Sequence, residues 1–348
     1  MLNATRTKFT AYANRIALLN GVAAATVLFT VNPTVQQTLE KKIQEQATLL
    51  GRINVVPVPE QEGSKLGLGV SGPGASRTNT SGGAKRGTKN LGVLDERGYR
   101  CEQTNFDTHV DYATLDAWAK FPNFETMLRD MIVQQQALDR ITIGWNGTSV
   151  AADTDIDENP LLEDVNKGWL QHIREQAPAR HLYRINTGTP EVPVWQNEIR
   201  VGPFGDYANL DALVFDAIQL LDPWFRESTD LNAFTARELM HDKYFGIINQ
   251  DQKPTETIAA QTVVAQKKIG GLPASTEASF PPATILVTSD KNLSIYYQDG
   301  KRRRHLKDVP EGNRIENYES SNDAYVVERL GKAALIENIV IGDWTPAP

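Results

Sequence analysis

The chain has 348 residues, of which 40% are hydrophobic and 8% aromatic, with a net charge of −7 and one cysteine, Cys101. That is enough apolar material for one large domain or two ordinary ones, and a lone cysteine excludes an internal disulfide. The charge is uneven: residues 1–52 carry +4 and residues 60–100 carry +3, which leaves −14 for residues 101–348, so basic outer segments accompany an acidic body.

The N-terminal arm reads as two helices. Phe9, Tyr12, Ile16 and Leu19 share one face of the first. Asn32 is placed to cap the second, with Pro33 at its first position and Val35, Leu39, Ile43, Ala47 and Leu50 along one side. The apolar run Ile16–Val31 follows basic residues but is broken by Asn20-Gly21, and it does not read as a secretory signal or a bilayer span. Ile53–Val58 is a short strand ending at prolines.

Residues 62–104 form the most informative stretch. Two strand-like flanks, Lys65–Val70 and Tyr99–Glu102 continuing through Phe106 and Val110, enclose a tip rich in Gly, Ser, Thr, Asn, Lys and Arg. Such a tip has no apolar surface to bury. If the flanks pair, each arm reaches roughly 60 Å at about 3.3 Å per residue. A compact chain of this length has a radius of gyration of only about 20 Å. The excursion is either a structureless loop or an arm laid on another subunit. Loops of this length without structure are uncommon in compact domains, which favours the second reading. Arg77, Lys85, Arg86 and Lys89 are the candidate contact residues of its tip.

The longest helix signal runs from about Pro122 to Ile143, with Phe124, Leu128, Met131 and Leu138 at 3.5-residue spacing and Gly144 as a stop. Residues 153–164 hold six acidic and no basic side chains. A helix over Val165–Gln176 and strands over Arg180–Ile185 and Val194–Val201 follow, the strands split by a Gly/Pro turn at 188–193. Further expected elements are a helix over Asp206–Leu221, a strand at Leu231–Thr235, a helix through Glu238–Tyr244 and a strand-rich stretch over Ile258–Ile269. Strands at Ala283–Thr288 and Leu293–Tyr297 precede an Asp299-Gly300 turn. A long strand pair is expected over Ala324–Ile341. Strands and helices mix irregularly, so the class is α+β.

No motif assembles a catalytic centre. Gly67-x-Gly69-x-x-Gly72 matches a dinucleotide fingerprint, but Pro73-Gly74 replaces the helix whose N-terminus must hold the pyrophosphate. Gly82–Lys89 fails as a P-loop because Thr88-Lys89 reverses the required order. Asp153-x-Asp155-x-Asp157 starts like a calcium loop, yet Glu158 stands where glycine must turn the chain, so a solvated acidic loop is preferred. The histidines lack zinc spacing and Cys101 reads as a core residue. Lys301-Arg302-Arg303-Arg304 suits a charged contact better than a phosphate site. No catalytic, cofactor or metal residues are therefore expected. The residues describe a structural protein that makes extended contacts with its own copies; the alternative is an enzyme that uses the Gly-rich excursion as an active-site lid.

Segments along the whole chain resemble the major capsid protein of the P-two-like tailed bacteriophages. They include KFTAYANRIALLNG (8–21), FTVNPTVQQTL (29–39), RINVVPV (52–58), LGLGVSG (66–72), YATLDAW (112–118), NPLLEDVNKGWL (159–170), EQAPAR (175–180), GDYANLDALVFDA (205–217), DKYF (242–245), NLSIYY (292–297) and ENYES (316–320). The resemblance implies the HK-97-like phage capsid fold. Residues 1–52 become an N-arm whose first thirty or so residues are trimmed, with Phe29, Thr30, Val31 and Asn32 at the processing junction. Residues 53–112 become the extended loop with its flanking strands. Residues 113–204 and 321–348 become a peripheral domain with a spine helix at about 122–143, and 205–320 an axial domain. Implied partners are further copies in hexamers and pentamers, a scaffolding protein with its protease, a portal protein at one vertex, and packaged double-stranded DNA held non-specifically, with no membrane. Assembly in the cytoplasm of a bacterial host and a place in the virion capsid follow. Arg302, Arg303 and Arg304 are then expected to make charge contacts between subunits.

Overall fold

The computed structural model describes residues 1–65, 75–83, 85–88, 98–189, 191–248 and 267–345. The helices are α1 (Asn3–Asn20), α2 (Pro33–Gln46), α3 (Thr48–Arg52), α4 (Tyr112–Trp118), α5 (Phe124–Asn146), α6 (Trp169–Gln176), α7 (Leu210–Ala217) and α8 (Arg237–Ile248). The strands begin with β1 (Phe29–Thr30), β2 (Asn54–Val58), β3 (Glu62–Ser64), β4 (Gly98–Arg100), β5 (Glu102–Asn105), β6 (Thr108–Asp111) and β7 (His181–Leu182). They continue with β8 (Ile185–Asn186), β9 (Trp195–Gln196), β10 (Ile199–Val201), β11 (Leu231–Thr235), β12 (Lys268–Ile269) and β13 (Leu272–Ser275). The last are β14 (Ile285–Ser289), β15 (Leu293–Gln298), β16 (Arg303–Val309), β17 (Arg314–Val327), β18 (Ala334–Ile336) and β19 (Ile339–Ile341).

The chain divides into two compact units. The first comprises Met1–Gly63, Arg100–Trp169 and Ser294–Val326. Its sheet runs β1-β16-β17-β15-β2, with β5 and β6 also on β17. β17 is the organiser because, at 14 residues, it is long enough to hold several partners along its length. Over the sheet lies a cluster that joins Tyr12, Ala13 and Ile16 of α1 to Leu115, Phe124, Leu128, Leu306 and Ile315. α1 therefore has a core partner. Its apolar face is narrower than the sequence indicated: Leu19 is exposed, and Ala13 and Ala17 take the buried places. α2 starts as expected, the Asn32 side chain accepting from Thr34 N at 3.0 Å with Pro33 at the first position.

α5 runs to Asn146, beyond the expected stop at Gly144. Its buried face passes through Phe124, Leu128, Ile132, Gln136, Ala137, Arg140 and Ile141, while Met131 and Leu138 are largely exposed. A 3.5-residue repeat drifts off the buried face of a straight helix, and the true contact line steps by fours and threes. Gly144 serves close packing instead of termination. A Cβ there would stand 2.3 Å from a ring carbon of Trp169, which sits on this turn and packs edge-on to Trp145 at 4.8 Å between ring centres.

The second unit comprises Ser64–Tyr99, Leu170–Leu293 and Val327–Pro348. Its sheet runs β12-β13-β11-β14-β18-β7, beside a separate parallel pair, β10 with β19. β11 and β14 are buried at every position, as expected for central strands covered on both faces. Leu210, Leu213 and Val214 of α7 and Leu239 and Met240 of α8 join the core formed with these strands.

Two strand expectations change. β15 and β16 do not form a hairpin through Asp299-Gly300, because β17 lies between them in the sheet. The long C-terminal strand is Arg314–Val327, and Ala334–Ile341 splits between two sheets. Ser294–Val326 pack in the unit that contains α5. In each case the decision lies with pairings between distant strands, which local pattern does not encode.

Candidate assembly surfaces and a buried ion network

The basic run 301–304 does not act as one surface. Arg302 is 0% exposed. Its guanidinium donates to Glu40 at 2.8 Å, to Glu319 at 2.8 Å and to Gln136 at 2.6 Å. This corrects the expectation of a subunit contact at Arg302: the side chain is sealed inside its own subunit. Alternation along the strand explains the split, since neighbouring residues point to opposite faces. Arg303 is exposed, and half-buried Arg304 donates to Asn317 at 2.9 Å and to the Tyr12 hydroxyl at 3.3 Å.

Arg302 belongs to a network that links α2, α5 and the sheet. Arg140 donates to Asp323 at 3.0 and 3.2 Å, and also to Glu40, while Gln136 donates to Glu319 at 3.0 Å. Glu40, Arg140, Arg302, Glu319 and Asp323 are all buried. With Arg304 beside Glu319 at 4.0 Å, three cations face three carboxylates. Balance of this kind is what makes buried charge tolerable. Burial pushes the Glu319 carboxyl up, but Arg302 and Arg304 outweigh it and hold it at about 2. Burial likewise opposes ionisation of Glu40, and Arg140 and Arg302 bring it below the usual carboxylate range. For Asp323 burial prevails over Arg140, so it lies above its usual range and takes a proton before the other two. Burial also pushes the Cys101 thiol up to about 12, which makes it a poor nucleophile, as its reading as a core residue implied.

The sequence reading passed over this network. Its signal was present: Gln36, Glu40 and Ile43 share a face of α2, and Gln136 and Arg140 share the apolar stripe of α5. Polar residues inside an apolar stripe mark a buried partner of opposite charge, but the partner's identity needs the fold.

The expected processing junction is built into the sheet. Phe29 and Thr30 pair with Arg304 and Arg303, and Val31 N donates to Arg302 O at 2.8 Å. Phe29 and Val31 are buried, whereas Thr30 and Asn32 are exposed. α1 is held by polar clasps as well as by its apolar face: Arg6 to Asp308 at 2.8 Å, Lys8 to Ala119 O at 2.5 Å and Arg15 to Glu125 at 3.2 Å.

Only the base and part of the tip of the excursion are described. β3 pairs with β4 at the base, just before the expected first flank at Lys65–Val70. Arg77, Lys85 and Arg86 are exposed. Lys89 and the flank over residues 66–70 lie outside the described residues. Large exposed apolar side chains, including Phe204, Phe215 and Trp224, mark further surface of the second unit that water covers poorly.

Comparison with known proteins agrees with this picture of a subunit whose notable features are surfaces and internal bracing. A chain of the solved procapsid of satellite phage P4, a structure that includes the size determination (Sid) protein, superposes with a TM-score of 0.83. It is 42% identical, over 99% of this chain and all of that one. The fold is the α+β, HK-97-like fold of phage capsid subunits. The family model for the phage major capsid protein, P2 family, matches residues 8–339, and the chain belongs to that family. The capsid protein of Escherichia phage P2 is 45% identical over 351 aligned positions, covering 100% of this chain and 98% of the relative. The major capsid protein of Serratia phage KSP20 is 39% identical, covering 97% of each. The chain is accordingly a structural subunit of the virion capsid, not an enzyme, and it builds a lattice from its own copies.

Proposed function

We propose that this lattice consists of hexamers and pentamers of the chain, closed into an icosahedral head around double-stranded DNA. The carrying observation is the full-length superposition on a procapsid subunit. On this reading the first unit, with α5 as spine, is the peripheral domain and the second is the axial domain. The excursion lies over a neighbouring subunit, where exposed Arg77, Lys85 and Arg86 meet acidic surface. Arg303, exposed on β16, remains a candidate for contact between subunits. Assembly takes place in the host cytoplasm on a scaffolding protein, with a portal at one vertex. The scaffold-associated protease then cuts within Phe29–Asn32, and DNA is held without sequence preference.

Electron microscopy of the chain produced together with its scaffold tests this. Closed shells with rings of six and five subunits are expected. A soluble monomer that never closes into shells would overturn it.

A further inference from the structure

A groove of about 390 Å³ opens between α1, α2 and the first turns of α5. Ile16, Leu19, Val35 and Leu39 give it an apolar floor, and Arg15, Lys42 and Arg129 stand at its rim with one carboxylate, Glu125. Among the described residues the rim cations pair along the surface: Arg15 with Glu125 at 3.2 Å, Lys42 with Glu45 at 2.6 Å and Arg129 with its neighbour Asp130 at 2.7 Å. Exposed pairs of this sort are weak and exchange readily for an incoming carboxylate.

The opposite end of α5 carries the complement. The loop over residues 148–164 exposes Asp153, Asp155, Asp157 and Glu158, and in their midst Ile156 is 66% exposed. The loop is shaped by its own polar groups. Asp155 accepts from Asp157 N at 2.9 Å and Glu158 N at 3.2 Å, and Asp155 N donates to Asp164 at 2.8 Å. An apolar side chain is thus held out in water on an acidic loop, at low entropic cost to any partner. The loop base is fixed to the C-terminal end of α5 through Thr148 N to Glu163 O at 2.7 Å and Gly168 N to Gly147 O at 3.0 Å. The groove is at the N-terminal end and reaches Arg129, so the helix from there to Asn146 separates the two by about 25 Å at roughly 1.5 Å per residue. In the folded chain the loop does not lie in its own groove.

We infer that the acidic loop of one copy docks into the α1/α2/α5 groove of the next, with Ile156 on the apolar floor and Asp153, Asp157 and Glu158 against Arg15, Lys42 and Arg129. The occupant is a second copy because this chain itself carries the matching charge and the matching apolar side chain, and because it assembles with its copies. Two different patches meet, so the contact is heterologous and generates rings where the rotation closes. α1 supplies Arg15, Ile16 and Leu19, so loss of the segment before Asn32 would remove one wall of the groove and loosen the contact.

Two experiments on full-length chains test the contact. In the first, Asp153, Asp157 and Glu158 are changed to Lys in one variant, Arg15, Lys42 and Arg129 to Glu in another, and all six in a third. Each single reversal is expected to lower shell yield about tenfold or more, and the combination to restore most of it, because like charges at a docking rim repel and swapped pairs attract again. Unchanged yield in both single reversals, or no restoration in the combination, overturns the inference. In the second, Ile156→Cys chains and chains with Thr38→Cys, a position that lines the groove, are co-produced and oxidised within shells; buried Cys101 stays silent. A disulfide-linked dimer that neither variant forms alone is expected. Shells that form without it, or Thr38→Cys joined instead to a different protein, overturn the contact while leaving the capsid role untouched.

Discussion

Arg302 shows how far one side chain's burial changes its role. Placed on the surface it would contribute a screened contact worth under about 1 kcal/mol. Placed between Glu40 and Glu319 it pairs with two buried carboxylates, which Arg140 and Arg304 help to balance. Arg302→Ala is therefore expected to destabilise the fold by about 3–5 kcal/mol, since uncompensated buried charge is the costly outcome. Arg303→Ala, on the exposed side of the strand, should stay within about 0.5 kcal/mol. Denaturant midpoints of the two variants decide it, and equal midpoints would refute the network's role. Acidity probes the same groups. Burial raises Glu319 and Glu337, but arginine partners, joined by His181 at Glu337, lower both from 4.5 to about 2. A carboxyl with a depressed folded value stabilises above its unfolded value and loses that contribution as pH falls toward the folded one. Stability should hold above about pH 4.5 and decline steadily toward about pH 2. A Glu319→Gln variant should decline less steeply across that window in thermal melts.

Among the elements, α5 is tightly specified by its packing. Its C-terminal turns accept Trp169 only because Gly144 has no side chain. Gly144→Ala should cost about 1–3 kcal/mol through overpacking, despite alanine's better helix propensity. A stabilised variant would show that Trp169 moves aside freely. The excursion is the contrasting element. Deleting residues 73–88 should leave the melting profile of both units intact and yet block or distort shells; normal shells would remove it from assembly. The helix starts were legible from Asn32-Pro33, and β11 from its apolar run, since capping and local burial are short-range. The exposed places of Met131 and Leu138 were not, because the contact line of α5 depends on what packs against it.

At the scale of the molecule, the distribution of charge and the chain's proposed fate meet in the N-terminal segment. It carries Arg6, Lys8 and Arg15 without a single acidic residue before Glu40, yet it is fastened to Asp308, Ala119 O and Glu125. A cut at Phe29–Asn32 must first peel β1 from β16. Mass spectrometry of mature particles is expected to show new termini between Phe29 and Pro33, with folded unassembled subunits cut more slowly than subunits in shells. An intact Met1 or Leu2 terminus in every copy would refute trimming.

By itself the sequence determined the α+β class, the existence of most elements, the capped start of α2, the family and hence the capsid role, because these rest on local pattern and on similarity along the whole length. Only the tertiary structure decided that Glu40, Arg140, Arg302, Glu319 and Asp323 share one buried site, that β17 separates β15 from β16, and that Ser294–Val326 join the unit of α5. These residues are up to 283 positions apart in the chain, between Glu40 and Asp323. Their association is fixed by which distant surfaces pack together. No spacing along the sequence records that choice.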